Sequence, residues 1–152
     1  LADFVGLDVF CHTLDYYAET LSSEYAPGKF VSELVAGGKL GMKSGQGIYA
    51  WAGETAQIDV SNPCEEITPK EFLAIQLNEA VKVYKEGIAE SAIQIDWAVV
   101  HGMRAFAGPF ALCTGMRPEQ MANPLQKLQE RFHLDIVAPE PEILDGSFKR
   151  FS

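Results

Sequence analysis

Apolar side chains recur every three or four residues through most of this chain, which is the spacing of a helix that buries one face. The first stretch predicts an amphipathic helix over residues 8–22. The next predicts a short helix through Phe30, Leu34 and Val35, ended by the glycine pair Gly37-Gly38. Alternation typical of strands is almost absent, so the predicted fold class is all-α.

The second half of the chain opens on a strong helix-start signal. Thr68-Pro69-Lys70-Glu71 combines a hydroxyl N-cap, a proline in the first turn and a glutamate three residues after the cap, which predicts a capping box. Apolar periodicity then predicts a helix to Gly87 and a second, largely buried helix that ends at 101–102. Further helices are predicted from Pro118 and, briefly, around residues 143–144, with a solvated tail after Pro139 as an open alternative.

The chain divides into two predicted units joined by a linker. Residues 53–66 lack a sustained period and are rich in loop formers, so units of 1–52 and 67–152 are expected. The segment 1–7 also matches 110–116 in its alanine, its glycine and its apolar ends, and an Ala-Pro step follows each, at 26–27 and 138–139. This internal echo predicts tandem copies of one helical unit, the first of them without its beginning.

Composition and charge narrow the classes of partner. Twenty-one acidic against 12 basic residues give a net charge of -9, which disfavours nucleic acid and anionic membrane surfaces. No apolar run reaches the roughly 20 residues of a membrane span. The three cysteines form no C-x-x-C pair, and the three histidines lack ligand spacing, so no metal site and a reduced, cytoplasmic protein are expected.

Two sets of motifs resemble the C-terminal domain of L-3-hydroxyacyl-CoA dehydrogenases. The end of that domain resembles Gly6-Leu7-Asp8 together with the glycine-rich segment 37–49, which reads G-x-L-G-x-K-S-G-x-G-I-Y from Gly38 onward. Its beginning, as it recurs in the second copy within multifunctional β-oxidation enzymes, resembles residues 78–80, 86–89, Asp96 and 108–110. Together these segments cover most of the chain.

The resemblance implies a helical domain like the C-terminal domain of 6-phosphogluconate dehydrogenase, here in tandem copies. It implies a part of an NAD-dependent enzyme that oxidises 3-hydroxyacyl-CoA in fatty-acid β-oxidation. In that family a separate Rossmann domain binds NAD and supplies a His–Glu pair. The helical domain covers the acyl-CoA and makes the dimer contact, which tandem copies imitate within one chain.

The chain departs from the family pattern at two places. No G-x-G-x-x-G follows a predicted strand, so NAD is expected to bind outside this chain. The family's Asn-Arg pair at the start of the first long helix is replaced by Lys70 and Glu71, so the second copy is expected to be catalytically silent. We therefore predict no catalytic and no cofactor-binding residues here.

The candidate site residues are mostly structural. Lys43 is the one candidate for contact with a CoA phosphate, and a P-loop interpretation of its segment fails on spacing. A polar tie between helices is expected from Asn78 and Glu79 toward Asp96 and the turn at 108–109. Histidines, cysteines and tryptophans are expected in packing roles. The structural motif residues are Gly41, Gly45, Gly47, Asn78, Glu79, Asp96, Gly108 and Pro109.

Two alternatives stay open from the sequence. One is a helical protein-interaction module derived from the same fold, which the lost Asn-Arg pair motivates. The other, weaker one is a dehydrogenase of the 6-phosphogluconate type, whose C-terminal domain is also helical. The glycine-rich segment favours the hydroxyacyl-CoA family over the second alternative.

Overall fold

The protein, seen in a computed structural model that describes residues 1–61, 63 and 65–151, consists of two compact units, Leu1–Pro63 and Cys64–Ser152. Both are mainly helical, and the predicted all-α class is confirmed, with one small sheet as the exception. The description of the units as tandem copies stays a prediction. Among the described residues, no helix is both long and apolar enough to cross a bilayer.

The described residues of the first unit form three α-helices and a hairpin. The helices are α1 (Ala2–Val5), α2 (Leu7–Thr20) and α3 (Lys29–Ala36), with 3₁₀ turns at Ser23–Tyr25 and Met42–Ser44. Strands β1 (Ala50–Ala52) and β2 (Thr55–Gln57) pair antiparallel, Trp51 opposite Ala56. Residues 55–57 were expected in the linker. A two-residue turn with Gly53 at φ 61 closes the hairpin, and strands this short lack a readable alternation.

In the second unit, residues 65–151 form five α-helices around an apolar core. They are α4 (Pro69–Lys85), α5 (Ala92–Met103), α6 (Pro109–Cys113), α7 (Pro118–Phe132) and α8 (Pro141–Asp145), with 3₁₀ turns at Asp135–Val137 and Ser147–Arg150. The predicted capping box is present: the Glu71 N–H donates to the Thr68 hydroxyl, and the Thr68 N–H donates to the Glu71 carboxylate over 2.7 Å. Together these bonds satisfy two N–H groups of the helix start.

The core of the second unit lies between α4 and α7. Leu77, Val81, Met121 and Leu125 are fully buried there. Ile143 and Phe148 join the same cluster, so the alternative of a solvated tail after Pro139 is wrong: burial of these two side chains favours an ordered end.

The helix α5 differs from its prediction. Only Ala92 and Ile95 are buried along it, while Ile93 and Trp97 are 65% and 66% exposed. A run of apolar residues predicts burial but does not say which element supplies the cover. One side of α5 is therefore an exposed apolar face.

Candidate functional site

The glycine-rich segment of the first unit is folded around one carboxylate, that of Asp3. Its Oδ1 accepts the Ile48 N–H at 2.8 Å. Its Oδ2 accepts the Tyr49 N–H and the Trp51 indole N–H, both at 2.9 Å. Asp3 is 3% exposed, so it fixes the loop to α1 from inside the unit.

The environment keeps the Asp3 carboxylate ionised. Burial alone raises its pKa, but the hydrogen bonds from Trp51, Tyr49 and Ile48 lower the pKa below its usual value. Three N–H donors from one loop converge on this carboxylate, which is 3% exposed, so its role is structural.

Two of the predicted glycines are required by this arrangement. A Cβ on Gly47 would collide with the Asp3 carboxylate, and one on Gly41 would collide with the Asp3 backbone. Gly41 also has φ 92, a conformation that favours glycine. Gly45, at φ 76, ends the 3₁₀ turn at 42–44 and has open space around it. The segment is therefore a packed turn rather than an open cradle.

Lys43 lies at the surface of the same loop, where its ammonium group pairs with Asp8. The distances from its Nζ to the two carboxylate oxygens are 2.5 and 2.7 Å, and both side chains are about two-fifths exposed, 43% and 41%. The Lys43 hydrogen bond is the main cause of a lowered pKa at Asp8. A CoA phosphate would have to compete with this carboxylate for Lys43.

In the second unit, Asp96 plays a similar part. Its Oδ1 accepts the Phe110 N–H at 2.9 Å and its Oδ2 the Ala111 N–H at 2.8 Å, both in the first turn of α6. A Cβ on Gly108 would overlap Asp96, and Pro109 occupies the first turn of α6. Asp96 thus binds the backbone directly after the 108–109 turn, where the sequence predicts a polar tie.

Asn78 and Glu79, however, do not take part in that tie. Asn78 is 1% exposed; its amide N–H donates to the Ala138 carbonyl at 2.8 Å, and its oxygen accepts the Glu140 N–H at 2.9 Å. The Glu79 carboxylate instead accepts from Lys82 at 2.7 Å, one turn along the same helix. The predicted partners were wrong because the sequence does not reveal which chain segment crosses a helix face.

Asp3 was not among the residues expected from the sequence, and Asp8 was expected only as part of the Gly6-Leu7-Asp8 motif, although both hold the glycine-rich segment. One signal was available for Asp3: it is the lone charge in the otherwise apolar stretch 1–7, and a buried carboxylate needs partners. Trp51 was expected as packing and proves to be a hydrogen-bond donor to that carboxylate.

The exposed apolar face of α5 forms a concave surface in the second unit. It lines a groove of about 650 Å³ together with Gln94 and His101. The rings of Trp97 and His101 lie 4.2 Å apart at an interplanar angle of 47°. We call this surface, formed by Ile93, Trp97, Ala98 and His101, the α5 face.

The remaining candidates for chemistry have structural surroundings. Cys11 and Cys113 are free, buried thiols, and burial raises the pKa of Cys113 to about 11, which keeps it protonated. Cys64, expected as a buried or linker thiol, lies outside the described residues. Within the described part of the chain, no group of three His, Cys, Asp or Glu side chains is placed to hold a metal ion.

Known proteins resemble this chain in part of its sequence and in its fold. Residues 1–51 match the family profile of the 3-hydroxyacyl-CoA dehydrogenase C-terminal domain. The fatty acid oxidation complex subunit alpha of Vibrio vulnificus (strain CMCP6) is 25% identical over 167 aligned positions that include 99% of this chain. The resemblance inferred from the glycine-rich motif is thus confirmed.

A solved structure gives the same fold. The 3-hydroxybutyryl-CoA dehydrogenase of Escherichia coli K12 superposes on 96% of this chain with a TM-score of 0.74 at 17% identity. The chain spans half of that protein's length and 24% of the Vibrio subunit's length. The likeness therefore describes a helical part within larger proteins.

Proposed function

Because residues 1–51 match the C-terminal domain of 3-hydroxyacyl-CoA dehydrogenase, we propose that this chain is the helical part of an NAD-dependent enzyme that oxidises 3-hydroxyacyl-CoA to 3-oxoacyl-CoA in fatty-acid β-oxidation. Its role is to cover the acyl-CoA and to form a dimer or intrachain pseudo-dimer contact between tandem helical copies. The reacting groups and the NAD site belong to another part of the cytoplasmic enzyme. The match of residues 1–51 is the observation that carries this proposal.

The chain's own glycine-rich loop does not fit NAD. A pyrophosphate is bound where backbone N–H groups are free to donate to it. Here the Ile48 and Tyr49 N–H groups already donate to Asp3, whose negative charge would repel a phosphate at the same place. This geometry supports a site for NAD outside the chain.

The α5 face is the surface we propose for the acyl chain of the substrate. It is lined by Ile93, Trp97 and Ala98, and none of the described residues that line its groove is Lys, Arg, Asp or Glu. An apolar groove with few polar groups is typical of sites that bind hydrocarbon. Trp97 is two-thirds exposed at 66%, so it is free to contact a ligand.

Calorimetric titration of the purified chain tests this role. We expect decanoyl-CoA to bind more tightly than acetoacetyl-CoA or free CoA, because each buried methylene adds about 0.8 kcal/mol. Trp97→Ala is expected to remove the advantage of the longer acyl chain. Phe106→Ala is the matched control, since Phe106 is 98% exposed and lies outside the α5 groove. NADH is expected to give no heat, and 3-hydroxyacyl-CoA no turnover.

Equal affinity for decanoyl-CoA and free CoA would reject the α5 face as the acyl surface. The chain would then act in substrate binding only together with other parts of the enzyme, or not at all. Hydride transfer by the chain alone would contradict the assignment of the chemistry to another domain.

A second candidate is a helical interaction module without enzymatic role. The observation in its favour is that Glu71 occupies one position of the family's Asn-Arg pair and is engaged in the capping box with Thr68. The size of the native polypeptide in its source cell separates the two proposals. A polypeptide of about this chain's mass favours the module, and a much larger one favours the enzyme.

A further inference from the structure

The long helices α2 and α7 hold equivalent places in the two units. Each is followed by a 3₁₀ turn (23–25 and 135–137), an Ala-Pro step (26–27 and 138–139) and a helix that starts at Lys29 or Pro141. Each landmark of the second unit follows its counterpart in the first by the same number of residues. That offset also pairs Val9 with Met121, Thr13 with Leu125 and Tyr16 with Leu128.

Equivalent positions on the two helices differ in burial. The residues Met121, Leu125 and Leu128 are in the core, none more than 4% exposed. Their counterparts are at the surface: Val9, Thr13 and Tyr16 are exposed, Val9 to 49% and Tyr16 to 60%. The surface formed by Val9, Thr13 and Tyr16 is called the α2 face below.

The α2 face lies on the side of α2 opposite its buried residues. On α7 the opposite side carries the polar residues Glu119, Asn123, Gln126 and Glu130, whereas α2 has Leu7, Cys11, Leu14 and Ala18 there, all buried or half-buried. The two helices therefore bury opposite sides: α7 buries Met121, Leu125 and Leu128, whereas α2 buries the side away from Val9, Thr13 and Tyr16. The Thr13 hydroxyl donates to the Val9 carbonyl at 2.9 Å, so it needs no partner from outside the helix.

In the second unit, α4 covers the counterpart of the α2 face. Asn78 is its one buried polar side chain, and it bridges the Ala138 carbonyl and the Glu140 N–H. The equivalent groups in the first unit are the Ala26 carbonyl and the Gly28 N–H. Within the described residues, neither of these two groups has a hydrogen-bond partner.

The receptor for such an asparagine is already formed in the first unit. Ala26 has φ -53 and ψ 140, and Ala138 has φ -54 and ψ 134. Gly28 has φ -63 and ψ 150, and Glu140 has φ -59 and ψ 148. The Ala26 carbonyl and the Gly28 N–H are thus held in nearly the same conformation as the pair that Asn78 binds.

We propose that the α2 face, with the Ala26 carbonyl and the Gly28 N–H at its end, is a docking surface for one amphipathic helix that presents an apolar stripe and an asparagine as α4 does. This inference rests on the tandem-copy part of the proposed function and is independent of the substrate. The positions on α7 that correspond to Asp15 and Glu19 are Lys127 and Arg131, which lie beside Glu71 at the start of α4. Because Asp15 and Glu19 carry the opposite charge, lysines are favoured in the first turn of the docked helix.

A labelled peptide of residues 66–90, which contains the capping box and the whole of α4, is the probe. Its fluorescence anisotropy is followed as the full-length chain is added. We expect saturable binding, weakened at least about tenfold by Tyr16→Asp in the chain, because a charge would be buried against the helix. Phe106→Asp, a charge at a 98% exposed site elsewhere, is the matched control and is expected to leave the affinity unchanged.

A peptide with Asn78→Ala tests the bridge separately. It is expected to bind about fivefold more weakly, the loss of roughly one net hydrogen bond. Val9→Lys in the chain replaces Tyr16→Asp if the latter unfolds, which circular dichroism reports. A peptide that binds Tyr16→Asp or Val9→Lys as well as the unmodified chain would overturn the proposal, as would no saturation up to about 1 mM.

Light scattering of the chain alone completes the test. A dimer that Tyr16→Asp abolishes would assign the α2 face to a second copy of the chain instead and reject the helix as occupant. Titration with acyl-CoA is a separate readout of the proposed function. Failure of the peptide to bind therefore leaves the acyl-CoA result interpretable, and the reverse holds as well.

Discussion

Each unit fixes a loop with one aspartate and a glycine packed against it, but the two units depend on that device to different degrees. Asp3 binds three N–H groups of a segment more than forty residues away, whereas Asp96 binds two in the next helix. Among the described residues of the first unit, only Leu7 and Cys11 are buried apolar side chains, whereas the second unit has a continuous apolar core. The first unit is thus held chiefly by polar contacts, and the second by hydrophobic burial.

The chain's two tryptophans allow this difference to be measured. Trp51 belongs to the first unit and Trp97 to the second. In a Trp97→Phe background, the fluorescence of Trp51 reports unfolding of the first unit. In a Trp51→Phe background, Trp97 reports the second. We expect the first unit to unfold at lower urea concentration, because its buried apolar area is smaller.

The largest effect is expected from Gly108→Val. Because a Cβ at this position would overlap Asp96, the side chain forces α5 and α6 apart and breaks the bonds from Asp96 to Phe110 and Ala111. We expect a loss of about 3 kcal/mol or more in the stability of the second unit, measured by urea unfolding through Trp97. Gly115→Val is the control, since Gly115 has open space around it. Equal midpoints for the two variants would show that the close approach to Asp96 does not matter.

The next largest effect is expected from Asp3→Asn in the first unit. An amide nitrogen in place of Oδ2 would face the N–H donors of Tyr49 and Trp51, which would lose their acceptor. We expect a loss of about 2 to 3 kcal/mol in the unfolding free energy reported by Trp51. Asp15→Asn, a change at an exposed aspartate of α2, is the comparison. If both variants unfold at the same urea concentration, the loop does not depend on Asp3.

Acid should weaken the two units to different extents. The pKa of Asp3 is lower in the folded state than in the unfolded chain, so its contribution is complete above an unfolded pKa of about 3.9 and is lost as the pH falls toward the folded pKa. The midpoint reported by Trp51 should therefore fall as the pH drops below about 4. In Asp3→Asn this fall should shrink. An unchanged pH dependence in that variant would assign the effect to other carboxylates.

Most of the fold could be predicted from the sequence, because the signals that begin and end a helix lie in neighbouring residues. The capping box at Thr68 and the glycine end of α3 are set by neighbouring residues, and they appear where they were predicted. The partners of Asn78 and Asp3 lie far along the chain, and no local pattern names them. The exposure of α5 was missed for the same reason: burial depends on what packs against a helix.

In the candidate site, too, local features could be predicted from the sequence and distant contacts could not. The need for glycine at Gly41 and Gly47 could be inferred from the motif, but its cause, the closeness of Asp3, could not. Lys43 was expected at a phosphate, while the structure pairs it with Asp8. A side chain's partner depends on the three-dimensional approach of two segments, which charge type alone does not fix.

The smallest effect is expected from Lys43→Ala, which removes the ion pair at the surface of the first unit. Both side chains of the pair are about two-fifths exposed, and exposed pairs contribute little, so we expect a much smaller shift of the urea midpoint reported by Trp51 than Asp3→Asn causes. High salt should reduce the difference further by screening the pair. A loss comparable to that of Asp3→Asn would show that the surface pair, and not the buried aspartate, holds the glycine-rich loop on α1 and α2.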